Sequence, residues 1–97
     1  MPAYVIAEIE VTDPEGYKGY TAVVGESIRQ YGGRFLVRGG PVQSLEGDWP
    51  ERRRVILEFP SKDAAQKWWD SPEYQKPKEM RRANSKGRLL LLEGFSG

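Results

Sequence analysis

The sequence lacks two residue types that carry much of the chemistry of small proteins. Its 97 residues include no cysteine and no histidine. The absence of cysteine excludes disulfide bonds, thiolate nucleophiles and thiolate metal sites, and it leaves the redox compartment undefined. The absence of histidine removes the usual general base near neutral pH, the commonest transition-metal ligand and the usual haem ligand. Only carboxylates remain as metal ligands, and no oxygen-rich loop resembles a calcium site. We therefore expect neither a metal nor a cofactor.

An excess of charge of one sign and a long apolar run are also missing. Fifteen basic residues oppose 14 acidic ones, so the formal net charge is +1 and gives no general attraction to nucleic acid or membrane. No apolar run approaches the roughly 20 residues of a membrane span. The first ten residues have no basic lead and include Glu8 and Glu10, which is not typical of a signal peptide. We expect a single cytoplasmic domain over residues 1–97.

Alternation of apolar and polar residues predicts three strands, over residues 4–11, 34–38 and 53–59, and the second resumes at 42–45 after a bend. A fourth strand is expected over residues 88–93, which include four consecutive leucines. Between the first two strands, Asp13 is a suitable N-cap and Pro14 a suitable first residue for a helix that ends before Gly32.

The second half of the chain carries the signals of two further helical segments. Ser61 is placed to cap one of them, and Ser71 to cap another that runs from residue 72 to near residue 83. We expect Pro77 to kink or shorten this last segment, because proline removes a backbone hydrogen bond. We expect Gly87 to end it.

The order β-α-β-β-α-β predicts an α+β, ferredoxin-like sandwich with both helical regions on one face of an antiparallel sheet. Strands one and three are expected at the centre, with strands two and four at the edges. The expected helix-facing side chains are Val5, Ala7, Ile9, Val11, Phe35, Val37, Val55, Leu57 and Phe59. The expected opposite face carries Tyr4, Ile6, Glu8, Glu10, Arg34, Leu36, Arg38, Arg54, Ile56 and Glu58.

The face away from the helices is too apolar for a surface that stays in water. Ile6, Leu36 and Ile56 lie in line on it, and residues 89–92 are four consecutive leucines. An open apolar patch of this kind usually marks an interface. The simplest partner is a second copy that stacks its sheet on the first in an isologous homodimer.

Charged residues on the same face have two interpretations. Arg34 and Arg38 are suited to clamp the carboxylate or phosphate of a small ligand. Alternatively, they form an ion-pair network with glutamates on neighbouring strands and set the register of the dimer. Glu8 or Glu58, in such surroundings, is a candidate general base.

Aromatic residues at helical spacing are the other candidates for ligand contact. Tyr17, Tyr20, Trp69 and Tyr74, together with Trp68, would line an apolar pocket between the helices and the sheet. The alternative is that they simply form the core. Nucleic acid is not an expected partner, because acidic residues balance the basic segments at 52–54 and 76–88 and no base-stacking motif is present.

Four stretches together resemble a known bacterial family. The first is Tyr-Val-Ile-Ala-Glu-Ile-Glu-Val-Thr-Asp-Pro-Glu-Gly-Tyr from residue 4. The second is Tyr-Gly-Gly-Arg-Phe-Leu-Val-Arg-Gly-Gly-Pro-Val from residue 31, with Leu-Glu-Gly-Asp-Trp following. The third is residues 53–61, and the fourth is Trp-Trp-Asp-Ser-Pro-Glu-Tyr-Gln from residue 68. They are similar to the domain of unknown function 1330 family of the dimeric α/β-barrel superfamily. The resemblance implies a ferredoxin-like protomer that dimerises through its sheet, but no activity. The Lys-Pro-Lys stretch from residue 76 departs from the usual pattern.

Two classes of function stay open at this point. The wider superfamily includes cofactor-free monooxygenases, isomerases and haem enzymes that act in a cleft between sheet and helices, so fold analogy allows a cofactor-independent enzyme for a small organic acid or aromatic. In that enzyme Arg38 anchors the substrate and a glutamate moves a proton. The alternative is a non-catalytic ligand-binding or structural dimer. An Arg38 that is unpaired and faces an open pocket favours ligand chemistry.

Overall fold

A computed structural model describes residues 1–95, which form four strands and three helices. In chain order they are β1 (Ala3–Val11), α1 (Pro14–Gln30), β2 (Arg34–Arg38), β3 (Arg53–Phe59), α2 (Lys62–Asp70), α3 (Pro72–Asn84) and β4 (Ser85–Glu93). The sheet is antiparallel with the order β2-β3-β1-β4. The ferredoxin-like arrangement and the central position of strands one and three are therefore confirmed.

The residues predicted to cap the helices do so. The side chain of Asp13 accepts a hydrogen bond from the amide of Gly16, and Ser61 and Ser71 cap α2 and α3 in the same manner. Each side-chain oxygen satisfies one of the amides that a helix start leaves without an intrahelical partner. Beyond α1, Gly32 has a φ of 79°, a conformation that glycine adopts without steric cost.

A β-bulge in β2 changes which face its last residues occupy. Phe35 pairs with Leu57, but the next paired residue, Val37, lies opposite Ile56, so Leu36 is extra. Simple alternation is wrong from this point onward. Val37 was expected on the helix face, yet it is 41% exposed. Arg38 was expected on the opposite face, yet it lies opposite Val55 and bonds to α1.

Two other sequence expectations are wrong. Residues 42–45 form no strand, since the chain turns at Gly39, whose φ is 70°, and continues as a loop to Arg52. Gly87 does not end α3, which runs through Pro77 to Asn84. Gly87 instead lies in β4, where an added Cβ would come within 2.8 Å of the Glu8 carbonyl oxygen. A side chain at that position would clash with β1.

The two faces of the sheet have different surroundings. On the helix face, side chains from β1 and β3 pack with α1, α2 and α3 into one core, and its largest fully buried members are Trp68, Tyr74, Phe59, Ile9 and Ile28. The open face is the opposite side of the sheet, marked by Glu8, Arg34 and Glu58. Its edge strands expose large apolar side chains, among them Leu36, Val37, Leu90 and Leu92. No helix within residues 1–95 has the length and apolar character needed to cross a membrane.

Candidate functional site

A small cavity lies between the sheet and the helices α1 and α3. Its volume is about 30 Å³, which is room for a water molecule. The lining residues are Val5, Ala7, Tyr17, Tyr20, Thr21, Val24, Ile28, Phe35, Arg38, Arg53, Val55, Leu57, Arg81 and Leu89. Most of the wall is apolar, and three arginines provide its charge. None of the lining residues is acidic.

Arg38 lies at the mouth of this cavity. Because the β2 bulge turns it toward the helices, its Nη2 donates a hydrogen bond of 2.8 Å to the carbonyl oxygen of Thr21 on α1. Its Cζ lies 4.2 Å from the centroid of the Phe35 ring, within cation–π range. Arg38 is solvent-exposed, whereas most of the cavity wall is buried. The guanidinium therefore bridges β2 and α1 where a ligand would enter.

Arg53 and Arg81 contribute the two inner guanidinium groups. Arg53, on β3, places its Cζ 5.7 Å from the centroid of the Tyr17 ring, and its buried Nε has no hydrogen-bond partner within residues 1–95. Arg81, on α3, is only 5% exposed, and its Nε donates to the hydroxyl of Tyr74 over 3.3 Å. In the described part of the chain, neither these two arginines nor Arg38 forms an ion pair.

Three tyrosines surround the inner arginines. Tyr17 and Tyr20 are buried with ring centroids 5.4 Å apart, and Tyr74 is fully buried beside them. Burial raises the pKa of Tyr20, and the neighbouring Tyr74 hydroxyl raises it further. Burial also raises the pKa of Tyr17, against the opposing effect of Arg53. Near neutral pH the phenols of Tyr17 and Tyr20 therefore keep their protons and can donate hydrogen bonds.

The two candidate bases lie outside this cavity. Glu8 faces away from the helices and accepts contacts from Arg54 at 3.7 Å and from Arg88 at 3.0 Å. Glu58 is on the same open face and pairs with Arg34 at 2.8 Å. The structure therefore places Glu8 and Glu58 in separate ion pairs on the open face, Glu58 with Arg34, and apart from the cavity that Arg38 borders.

The four aromatic candidates divide between two locations. Tyr17, Tyr20 and Tyr74 gather around the inner arginines, as described above. Trp69 lies outside the cavity, where it borders a groove of about 190 Å³ between α2 and β4. The ammonium of Lys78 lies 4.1 Å from the centroid of the Trp69 ring.

Sequence reasoning missed the importance of Arg53 and Arg81. Arg53 precedes Val55 by two residues, so strand alternation places it on the helix face. Arg81 follows Tyr74 by seven residues, which is two helical turns and hence the same helix face. Both signals were available, but basic residues at these positions are also typical of a solvated surface. Among residues 1–95, no three carboxylates converge as a metal site requires.

Comparison with known proteins places this geometry among ferredoxin-like structures. Residues 2–95 match the family described as "Domain of unknown function (DUF1330)". A protein of unknown function from Rhodopseudomonas palustris is 21% identical, with a TM-score of 0.79, and the alignment covers 99% of this chain and 84% of that one. A dimeric ferredoxin-like protein of unknown function from Jannaschia sp. CCS1 is 16% identical, with a TM-score of 0.73 and coverage of 97% and 100%.

A third structure of the same fold is that of an enzyme. SnoaB, a cofactor-independent oxygenase from Streptomyces nogalater, is 13% identical, with a TM-score of 0.64 and coverage of 99% of this chain and 95% of that one. At these identities the likeness shows the fold alone. No curated protein matches the chain in sequence.

Proposed function

The chain belongs to the family described as Domain of unknown function (DUF1330), and we propose that it is a homodimer that binds a small organic anion between its sheet and its helices. The observation that carries this proposal is the set of three guanidinium groups, from Arg38, Arg53 and Arg81, around one cavity whose lining contains no acidic residue. The proposed ligand is a carboxylate, or a comparable oxyanion, attached to an apolar or aromatic body.

A buried cation such as the Arg81 guanidinium needs an anion. A desolvated guanidinium without a carboxylate partner is costly, and a ligand oxyanion would supply both the opposite charge and hydrogen-bond acceptors. The apolar wall formed by residues such as Val5, Val55 and Leu57 suits the ligand's hydrocarbon part. Because the cavity measures only about 30 Å³, we expect the Arg38–Thr21 hydrogen bond at its mouth to open on binding.

Binding is tested by isothermal titration calorimetry with benzoate, a carboxylate on an aromatic ring. We expect Arg38→Met to weaken benzoate binding at least about tenfold, since hydrogen bonds to charged groups contribute roughly 1.5–3 kcal/mol. The matched control is Arg34→Met, which alters the same residue type on the same strand but on the open face. Equal losses in both variants, or no benzoate binding by the unmodified protein, would contradict the proposed site.

The homodimer is supported by the exposed apolar side chains of the open face and by the dimeric ferredoxin-like relative from Jannaschia. Sedimentation equilibrium should give twice the protomer mass of 11.0 kDa. Leu90, which is 62% exposed on β4, offers the clearest variant. We expect Leu90→Lys to give monomers, whereas the control Val23→Lys, on the solvent side of α1, should leave the dimer intact. A monomeric unmodified protein would refute this part of the proposal.

A second candidate function is a cofactor-independent enzyme that acts on the bound anion. Neutral tyrosine hydroxyls beside guanidiniums can stabilise negative charge that develops on a substrate oxygen, and SnoaB, a cofactor-independent oxygenase, has the same fold. Oxygen uptake in the presence of hydroxyaromatic acids is the measurement that separates the two functions. Uptake that disappears in Arg38→Met supports catalysis, and binding of these acids without uptake supports the binding role alone.

A further inference from the structure

A second group of cations lies on the outer side of Arg81, in a surface depression that we call the outer basin. Its volume is about 310 Å³, and it is lined by Trp69, Arg81, Arg82, Ser85, Gly87, Arg88 and Leu89. It adjoins the inner cavity, because Arg81 and Leu89 line both spaces. Like the cavity, the outer basin has no acidic residue in its lining.

The charges of the outer basin are only partly compensated by the protein. Arg88 pairs with Glu8 across the strands, at 3.0 Å. Neither Arg81 nor Arg82 makes an ion pair with any residue between 1 and 95. Arg82 instead places its Cζ 5.9 Å from the centroid of the Trp69 ring.

Lys78 adds a further cation next to the same indole. Its ammonium is the closer of the two cations to the Trp69 ring, and Lys78 is itself buried, with 7% of its surface exposed. Burial lowers the pKa of Lys78, the neighbouring Arg82 and Arg81 lower it further, and only Asp70 opposes them. The region therefore concentrates positive charge beyond what its own carboxylates balance.

We propose that the outer basin is a second anion site, which takes a carboxylate or phosphate group between Arg81, Arg82 and Arg88. The forked donors of arginine match the paired oxygens of such groups, and Ser85 provides a hydroxyl at the same wall. This site rests on its own residues and does not require that the inner cavity bind a ligand.

The anion can come from two sources. It can be the second acidic group of a ligand whose first group lies in the inner cavity, since Arg81 borders both spaces. It can also be a separate anion. Both sources would present a carboxylate or phosphate to Arg82, and the ligand comparison described below distinguishes them.

The first measurement is a titration with inorganic phosphate at constant ionic strength, followed by NMR at the Arg82 side-chain Nε–H, the Ser85 amide and the Trp69 indole N–H. We expect saturable shifts, with an apparent Kd about tenfold higher in Arg82→Gln. Arg82→Lys, which keeps the charge, should recover part of the affinity. Lys62→Gln, which removes an exposed positive charge elsewhere, should bind phosphate as the unmodified protein does.

Shifts that grow linearly without saturation, or an affinity that Arg82→Gln leaves unchanged, would overturn the outer site. Failure of benzoate binding alone would overturn only the inner cavity, because phosphate is measured without it.

The source of the anion follows from comparing benzoate with isophthalate, which carries a second carboxylate. If Arg82→Gln weakens isophthalate binding about tenfold and leaves benzoate binding unchanged, one ligand spans both sites. If phosphate and benzoate bind together and Arg82→Gln affects only phosphate, the anions are separate.

Discussion

Arginines on the two faces of the sheet differ in whether they have a carboxylate partner. On the open face, Arg34, Arg54 and Arg88 each pair with a glutamate of a neighbouring strand. On the helix face, Arg38 and Arg53 lie near aromatic rings and have no carboxylate partner among the described residues. Arg81 on α3, which borders the same cavity, is likewise unpaired.

This difference supports the proposed division of the arginines between structural and ligand-binding roles. A cation that the protein itself neutralises contributes to strand register and modestly to stability. A cation left without a partner in a partly buried cavity lowers stability, and it is best explained by an anion that arrives from outside. In the proposed functions, the contrast is between residues that complete the fold and residues that bind a ligand, and Arg88 belongs to both groups.

The largest effect should come from removing the most buried unpaired charge. We expect Arg81→Met to raise the free energy of unfolding by about 1–4 kcal/mol, as when buried ionic groups are replaced by apolar side chains of similar volume. Urea denaturation measures this change. Arg54→Met, which leaves Glu8 with one partner fewer on the open face, should lower stability instead. A loss of stability in Arg81→Met would mean that the hydrogen bond from Arg81 Nε to Tyr74 outweighs the cost of burying the charge.

The buried tyrosines beside these arginines should make stability depend on alkaline pH. The pKa of Tyr20 is raised above its ordinary value of 10.0 by burial, so the folded protein keeps a proton that the unfolded chain loses. The contribution of Tyr20 is complete below pH 10 and is lost above it by about 1.4 kcal/mol per pH unit. Denaturation midpoints between pH 9 and pH 11 should therefore fall less steeply for Tyr20→Phe. Identical slopes would contradict the buried, protonated state of Tyr20.

On the open face, the carboxylate with two partners should matter most. Glu8 contacts both Arg54 and Arg88, and the side chains of Glu8 and Arg54 are each about one-fifth exposed. We expect Glu8→Gln to lower the free energy of unfolding by about 1 kcal/mol, at the upper end for exposed ion pairs. The loss should shrink in high salt, because screening weakens the same pairs in the unmodified protein. A loss that does not depend on salt would indicate a packing role instead.

The smallest effect should come from Arg34, an exposed arginine of the open face. The side chain of Arg34 is 70% exposed, although it lies 2.8 Å from Glu58. In the monomeric Leu90→Lys background, we expect Arg34→Gln to change the free energy of unfolding by less than about 0.5 kcal/mol. A chemical denaturation curve that shifts much further in that background would contradict the exposed position of Arg34, whereas a larger shift in the unmodified background alone would agree with its burial in the homodimer.

Local patterns in the sequence predicted most of the fold. Alternation located β1 and β3, and Asp13, Ser61 and Ser71 marked the helix starts, because these features depend on residues close together in the chain. The course of the chain after β2 was not predictable in this way, since proline and glycine stop a strand as readily as they bend it.

The candidate site was less predictable, because it depends on how strands pair. A bulge arises from the register between two strands, and no local pattern marked Leu36 as the extra residue. Alternation therefore assigned Arg38 to the wrong face, although Arg38 was recognised as a candidate ligand contact. Arg81 required the tertiary packing of α3, since only the fold shows that its helix face is buried.

The bulge also means that the number of residues in β2 can change at one position without changing how its side chains pair with β3. Leu36 and Val37 together occupy the space opposite Ile56, so β2 holds one residue more than its neighbour requires. A chain shortened by Leu36 would keep Val37 opposite Ile56 and Arg38 opposite Val55. We therefore expect the deletion to preserve benzoate binding, as calorimetry would show. By the same geometry, loss of this residue would leave Arg38 beside the cavity.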